Sequence, residues 1–324
     1  MNSIVFWNYR GARKVLASLY LKEFVKQYGV GFIGLLETKV SSMNRKDIIA
    51  LIGMDWNCFH YPSEGLSGGT LILWNTRFAF FNALFSSCQC VIGDLKIHNK
   101  ELWKISTVYA NKDSYKRRDL WNQLEKYMLL DSPSVVGGDF NCLLSKGDKK
   151  GGRGFEFSQG SKEMKYFFAN LDYHELSFIG PRYTWCNNKL GGAQILERLD
   201  RCFVNSSALE SNSLLVVHHL PRIASDHCPI MMKLWEDQLK PNVYIKFKDT
   251  WASHYASAAI VQKAWNKNIA NHHLDRLHIK FKKGFESSIF LEKIVIERPQ
   301  YCEGKSYQRN TRSSNGRVFG WQPS

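Results

Sequence analysis

Asp139 and Asn141 stand two residues apart in Val135-Val136-Gly137-Gly138-Asp139-Phe140-Asn141. On an extended backbone that spacing turns both side chains to one face. A carboxylate beside a carboxamide at a strand end can hold a water and a phosphate oxygen together. The stretch also fits an ordinary Gly-Gly-Asp turn closed by an Asx hydrogen bond, its glycine pair letting the chain turn tightly. Its meaning therefore rests on distant partners, and Asn8, Glu37, Tyr109, Asp200, Asp226 and His227 supply them. Each stands at a predicted strand end or in the loop beside one. If those ends meet at one edge of a sandwich, they form a carboxylate-rich pocket with one imidazole and two carboxamides. Hard oxygen donors of this kind suit Mg²⁺ or Mn²⁺ rather than zinc. A cation, a base and an imidazole around a phosphate outline a phosphodiesterase.

The intervening pattern predicts the elements that must position these groups. A buried strand over 4–7 delivers Asn8, and a helix over 13–28 stops at Gly29. An apolar strand over 32–36 ends on Glu37-Thr38-Lys39. A short helix over 47–53 precedes strands over 57–60, 70–74, 78–84 and 88–97, and an alternating run over 103–109 ends on Tyr109. An amphipathic helix over 119–130, with Leu120, Trp121, Leu124, Tyr127 and Met128 on one face, feeds the Asp139 strand. Residues 146–154 form a glycine-rich basic loop, followed by a helix over 162–171 and strands over 181–186 and 198–204. Ser225-Asp226-His227 lies just before a closing strand. Hairpin and crossover spacings alternate, and no repeat of 20–50 residues appears. The expectation is an α/β chain with two mixed sheets packed face to face and helices outside.

At 324 residues the chain can bury a large core, and its 44% hydrophobic and 14% aromatic content exclude a wholly disordered protein. The net charge is +15, with 29 basic and 23 acidic residues up to Asp237 and 15 and 6 beyond it. Such a surplus favours a polyanionic partner, nucleic acid ahead of membrane. Eight scattered cysteines without a C-x-x-C pair argue against a zinc site or a disulfide framework, and for a reducing compartment. The first residues lack the basic and apolar regions of a signal peptide, and no apolar run approaches the roughly 20 residues of a membrane span. A nuclear or cytoplasmic, non-secreted protein is expected.

The ordered blocks Trp7-Asn8-x-Arg10-Gly11, Glu37-Thr38-Lys39, Ser67-Gly68-Gly69, Val108-Tyr109, Gly138-Asp139-Phe140-Asn141, Tyr183-Thr184-Trp185, Glu197-Arg198-Leu199-Asp200-Arg201 and Ser225-Asp226-His227-Cys228-Pro229-Ile230 resemble the endonuclease/exonuclease/phosphatase superfamily, which includes DNase I. Within it, Pro181 to Asn187 and Glu197 to Arg201 are similar to the endonuclease domain of plant LINE-type non-LTR retrotransposons. The resemblance covers roughly residues 1–235. It implies a four-layer αββα sandwich and a Mg²⁺- or Mn²⁺-dependent endonuclease acting on DNA. Glu37 would be the main metal ligand, with Asn8 beside it and Asp226 near the metal or its water. Asp139 would orient or deprotonate the attacking water, and Asn141 would hold a phosphate oxygen. His227 would meet the scissile phosphate, oriented by Asp200, with Tyr109 assisting. Arg10, Lys39, Lys149, Lys150 and Arg153 are candidate contacts to substrate phosphate.

The chain departs from that pattern after Gly11, where a small-residue loop is usual, and at Ala110-Asn111-Lys112, where a Gly/Pro turn is commoner. Residues 236–297 read as a basic, linker-like helical extension, extended over 243–251 and helical over 256–277. Residues 298–324 read as a disordered tail. No reverse transcriptase pattern is recognised, so the expectation is a truncated or free-standing retroelement relic. Two other readings stand beside the endonuclease: a small-molecule phosphoesterase of the same fold, and a nucleic-acid-binding protein that has lost turnover.

Overall fold

A computed structural model describes residues 3–11, 15–65, 67–128 and 132–234, together with residue 262. The chain divides into two compact units, Met1–Gln238 and Leu239–Ser324. Apart from residue 262, the expected extension and tail lie outside the described residues.

Two large sheets dominate the first unit. The seven-stranded sheet runs, edge to edge, through Phe178–Ile179, Val217–His219, Ile230–Lys233, Ser3–Asn8, Val30–Leu36, Ser67–Asn75 and Trp56–Glu64. The six-stranded sheet runs through Tyr173–Glu175, Asp200–Asn205, Ser134–Asp139, Leu102–Tyr109, Cys90–Ile97 and Ala79–Ser86. Each is mixed: Ser3–Asn8 is parallel to Val30–Leu36 and antiparallel to Ile230–Lys233, and Ser134–Asp139 is parallel to Leu102–Tyr109 and antiparallel to Asp200–Asn205. A small third sheet joins Trp185–Cys186, Leu196–Glu197 and Lys149–Lys150.

Side-chain alternation explains why the layers stack. On the first strand Ile4 and Phe6 face the other sheet and pack with Phe81, Trp103, Ile105 and Val135. Val5 and Trp7 point outward, onto Ala17, Leu21 and Phe24 of α1 (Val15–Tyr28) and near Ile48 of α2 (Arg45–Ile52). On the six-stranded sheet Ile92, Val108, Val136 and Phe203 carry Leu120, Trp121 and Leu124 of α3 (Ser114–Met128) and Met164 and Phe168 of α4 (Gln159–Asn170). A last short helix, α5 (Ser206–Ser211), is capped by Asn205. Three apolar interfaces separate four layers, helix, sheet, sheet and helix, as the sequence led us to expect. Among the described residues no helix is long and apolar enough to cross a membrane.

Two expectations are corrected. The glycine pair before Asp139 does not make the turn. Gly137 and Gly138 lie inside the strand, where a Cβ on Gly137 would stand 2.2 Å from Phe6 Cε2 and one on Gly138 would stand 2.1 Å from the Val108 carbonyl oxygen. Small residues are needed there because the two sheets and the neighbouring strand approach closely. α3 begins five residues earlier than the apolar pattern indicates, at Ser114. Asp113 starts it: its carboxylate accepts from Tyr115 N at 2.9 Å and its carbonyl from Arg117 N at 3.1 Å.

The basic glycine-rich loop is anchored by buried ions. Arg201, 1% exposed, sets Nη2 2.7 Å from Asp148 Oδ2 and donates through Nη1 to Glu175. Arg198 engages the same two carboxylates. Asp148 Oδ2 also accepts from Leu144 N and Ser145 N, at 3.0 and 2.8 Å. Arg201→Ala would leave the buried Asp148 carboxylate half-paired, so we expect a stability loss of about 3 kcal/mol. Urea unfolding checks this, and a loss well under 1 kcal/mol would contradict it.

Candidate active site

Strand register brings the candidate residues to one edge. Asn8 pairs in register with Leu36, so Glu37 emerges beside it. Tyr109 and Asp200 both pair in register with Asp139, from opposite sides. His227 is tied in by an isolated bridge to Trp185, by Trp7 Nε1 donating to its carbonyl at 3.2 Å, and by its own N–H donating to Ser225 Oγ at 3.2 Å. Ser225 Oγ in turn donates to the Asn8 carbonyl at 2.7 Å. Thr184 Oγ1 accepts from Leu199 N and Asp200 N, each at 3.1 Å, and fixes the chain entering Asp200.

Asp139 is the hub. Its Oδ2 accepts from Asn8 Nδ2 at 3.0 Å, its Oδ1 accepts from Asn141 N at 2.9 Å, and His227 Nε2 lies 3.8 Å from Oδ2. His227 Nδ1 is 2.9 Å from Asp200 Oδ2. All three are buried. Burial pushes the Asp139 carboxyl up, with Asp200 adding to it and His227 opposing, to about 6. For His227 burial acts downward, but the Asp200 and Asp139 carboxylates outweigh it and raise the imidazole to about 9. At neutral pH this gives a carboxylate facing an imidazolium. Burial, then the Glu37 and Asp139 charges, raise the Tyr109 phenol well above its ordinary value, so it stays a neutral donor.

The acidic ligands expected for a metal lie on the other side of Asn8. Arg10 Nε is 3.4 Å from Glu37 Oε2, Arg10 Nη1 donates to Asp226 Oδ2, and Lys39 Nζ is 3.1 Å from Glu37 Oε1. Trp185 Nε1 also donates to Asp226 Oδ2, at 2.9 Å. Two residues read as phosphate contacts thus sit on the site's own carboxylates. Backbone conformation is unusual here: Arg10, Glu37, Lys39, Asn141 and Ala224 have φ of 48°, 51°, 56°, 46° and 64°. Three of these, Arg10, Glu37 and Asn141, line one cavity, and non-glycine residues in the left-handed region there mark a site whose geometry the fold enforces.

The donor set fits a hard divalent cation. Asn8 Oδ1 is buried without a hydrogen-bond partner among the described residues while Nδ2 is spent on Asp139, which leaves a lone amide oxygen on a residue that lines the same cavity as Glu37. Asp139, Asp200 and His227 also offer ligand atoms within 4.8 Å of one another. In that cluster His227 Nδ1 is taken up by Asp200 and Nε2 faces Asp139, an arrangement suited to proton transfer.

A cavity of about 470 Å³ opens on this edge, lined by Asn8, Arg10, Glu37, Tyr109, Asp139, Asn141 and His227. Asp200 and Asp226 are not part of that lining; Asp200 bonds His227 and Asp226 bonds Arg10. Lys39 is not on it either. Lys149 is paired with Glu197 at 2.7 Å, Lys150 is exposed, and Arg153 lies 3.6 Å from Glu156. Lys112, Arg117, Trp185, Ser158 and Ser161 also line the cavity and were not among the candidates. Arg117 left a signal: it falls four residues before Trp121, on the apolar stripe of its helix, where a charged side chain needs a reason.

The pair of titrations predicts the pH profile. Asp139 must be ionised to accept a proton and His227 protonated to offset phosphate charge, so the rate should fall below about pH 6 and above about pH 9. Initial rates of phosphodiester cleavage at saturating metal measure it. A rate unchanged down to the ordinary aspartate range, about pH 4, would contradict the reading of Asp139.

Residues 2–227 match the family model described as Endonuclease/Exonuclease/phosphatase family. No curated protein sequence matches the chain. Among solved structures, the endonuclease domain of TRAS1, a telomere-specific non-LTR retrotransposon, shares 15% identity over 72% of this chain and 98% of its own, at a TM-score of 0.57. The AP endonuclease LMAP from Leishmania major shares 17% over 71% and 86%, at 0.56. The 3′ phosphatase NExo from Neisseria, solved with a product DNA hairpin, shares 15% over 72% and 99%, at 0.52. These likenesses establish the fold, and the match over 2–227 establishes more: this chain belongs to the endonuclease/exonuclease/phosphatase family, whose members hydrolyse phosphoester bonds.

Proposed function

We propose that the chain is a divalent-metal-dependent endonuclease that hydrolyses phosphodiester bonds of DNA, nicking one strand to leave a 3′-hydroxyl and a 5′-phosphate. The observation that carries this reading is Asp139 held between Asn8 and the Asp200-backed His227, in a cavity that Glu37 also lines. Asn8, Glu37 and Asp226 would hold the cation, which when bound supplies positive charge against the phosphate. Asp139 orients the attacking water and takes its proton as the new P–O bond forms. The P–O3′ bond breaks and its electron pair leaves on O3′, which is protonated to the 3′-hydroxyl. His227, kept cationic by Asp200 and Asp139, meets the charge that builds on the phosphate oxygens. Tyr109 donates to the same group as a neutral phenol. Asn141 spends one amide hydrogen on the Ala110 carbonyl at 2.9 Å and keeps the other for a phosphate oxygen. Arg10, on the cavity wall, and Lys39, Lys149, Lys150 and Arg153 would bind the strand through its phosphates.

An origin in a plant LINE-type element belongs to the same proposal. It is supported by the residue blocks of the sequence and by the fold shared with the TRAS1 domain. The fold shared with the NExo phosphatase favours a second reading, a phosphomonoesterase. Incubation with supercoiled plasmid and, separately, with p-nitrophenyl phosphate separates the two. We expect open circles that DNA ligase reseals, and negligible phosphate release from the monoester; the reverse pattern would favour the phosphatase.

A further inference from the structure

The cavity extends past Asn141 to Arg117 and the first turn of α4, and the electrostatics there are unbalanced. Arg117 is 4% exposed. Its Nη1 donates to the carbonyls of Asn111, Lys112 and Asn141 at 2.8, 3.1 and 3.4 Å, while its Nε is buried without a partner among the described residues. Its partners are thus neutral carbonyls, and the Glu163 carboxylate that feels its charge is held by Arg118 at 2.6 Å. The guanidinium also rests on a helix start. A Cβ on Gly160, the second residue of α4, would stand 2.3 Å from Arg117 Nη2. Helix N-termini carry partial positive charge, so a buried cation on one is a like-signed contact that costs energy unless an anion joins them.

The same turn faces the reaction site. Ser161 Oγ donates to the Leu143 carbonyl at 2.7 Å, docking α4 on the loop that leaves Asn141. Ser158, the N-cap, and the exposed Lys112 also line the cavity that holds Asp139 and His227. The Glu156 and Glu197 carboxylates line it too, but each already faces a cation of its own, Arg153 at 3.6 Å and Lys149 at 2.7 Å. Gly160 lets both the guanidinium and a ligand come close to the helix backbone. Its 470 Å³ falls within the range of about 300–1,000 Å³ usual for ligand pockets.

We propose that Arg117, Lys112 and the N-terminus of α4 form a second phosphate subsite, which receives the phosphate adjoining the scissile one. The proposal rests on the phosphodiesterase reading of the neighbouring site and sharpens it: the substrate is a polynucleotide strand, because a small phosphoester cannot fill both positions. Gly160→Ala would bring a methyl against Arg117 Nη2 at an ordinary helical φ, and Lys112→Ala would remove an exposed charge. Gly160→Ala shifts the guanidinium without removing it and Lys112→Ala does not touch it, whereas Arg117→Gln would delete the group that holds the Asn111, Lys112 and Asn141 carbonyls.

The test is fluorescence anisotropy of labelled duplex oligonucleotides with the full chain in EDTA, so that no turnover intervenes. A neutral methylphosphonate replaces each phosphate flanking the scissile position in turn. Wild-type affinity should fall roughly tenfold at one flanking position, the loss typical of a charge-assisted hydrogen bond. Gly160→Ala and Lys112→Ala should bind the natural strand more weakly and show a smaller penalty for that linkage. Equal penalties in wild type and both variants, or none at either position, would overturn the subsite even if the protein nicks DNA normally. If DNA is neither bound nor cut, thermal shift with inorganic phosphate decides: stabilisation of wild type that both variants lose supports the subsite and leaves the nuclease reading to fall alone, while no stabilisation overturns the subsite too.

Discussion

Asp139→Asn should lower the rate of DNA nicking at least about a hundredfold without lowering Tm. The amide cannot take the proton of the attacking water, and loss of a positioned base typically costs about 10²–10⁴ in rate. Geometry adds to this. Asp139 accepts from Asn8 Nδ2 through one oxygen and from Asn141 N through the other, and an amide offers only one such oxygen, so Asn8 or Asn141 loses its anchor. Folding should not suffer, because relief of a charge that burial disfavours, pushing the carboxyl up to about 6, offsets the lost hydrogen bond. Single-turnover rates at saturating metal and a thermal melt measure both halves. Near-normal nicking would remove Asp139 from the chemistry.

His227→Ala should be as damaging, and adding Asp200→Asn should make it no worse. Asp200 reaches the site through His227 Nδ1 at 2.9 Å, and among the described residues it does not line the cavity. Its work is to fix the ring and keep it cationic, so once the imidazole is gone there is nothing left for it to orient. We expect a loss of two or more orders of magnitude for His227→Ala and the same rate, within about threefold, for the double variant. Stability should move the other way. His227→Ala leaves Asp200 buried without its partner, and Asp200→Asn relieves that charge, so the double variant should melt higher than the single. Multiplicative rate losses would give Asp200 an independent role.

The edge of the sandwich was legible because polar residues end apolar runs there. Asn8, Glu37, Tyr109 and Asp139 each follow a buried strand, and the parallel pairings carry those strand ends to one side. The four layers were legible for the same reason, as strand alternation sorts Phe6 inward and Trp7 outward. Chain geometry at the glycines was not, because spacing does not tell a turn from a place where Phe6 presses against the strand at Gly137. Nor were pairings over long separations. Trp185 and Asp226 are 41 residues apart and Arg10 and Asp226 are 216 apart, and nothing local joins them. The pairing of Lys149 with Glu197, 48 residues on, was hidden in the same way. Asn8 Oδ1 shows the converse: its lack of a partner is visible only once every neighbour is in place.

Metal-dependent cleavage at the Asn8, Glu37 and Asp139 edge is best tested by conversion of supercoiled plasmid to open circle, with Mg²⁺ and with EDTA, for wild type and Glu37→Gln. Glu37 is the least buried of the candidate metal carboxylates, at 9% against 6% for Asp226, and it anchors both Arg10 and Lys39. Its neutral isostere should keep the fold and lose the cation. We predict nicking by wild type in Mg²⁺, none in EDTA, and a rate at least about a hundredfold lower for Glu37→Gln that excess Mg²⁺ partly restores. Nicking that persists in EDTA, or a Glu37→Gln variant as fast as wild type at limiting Mg²⁺, would contradict the account.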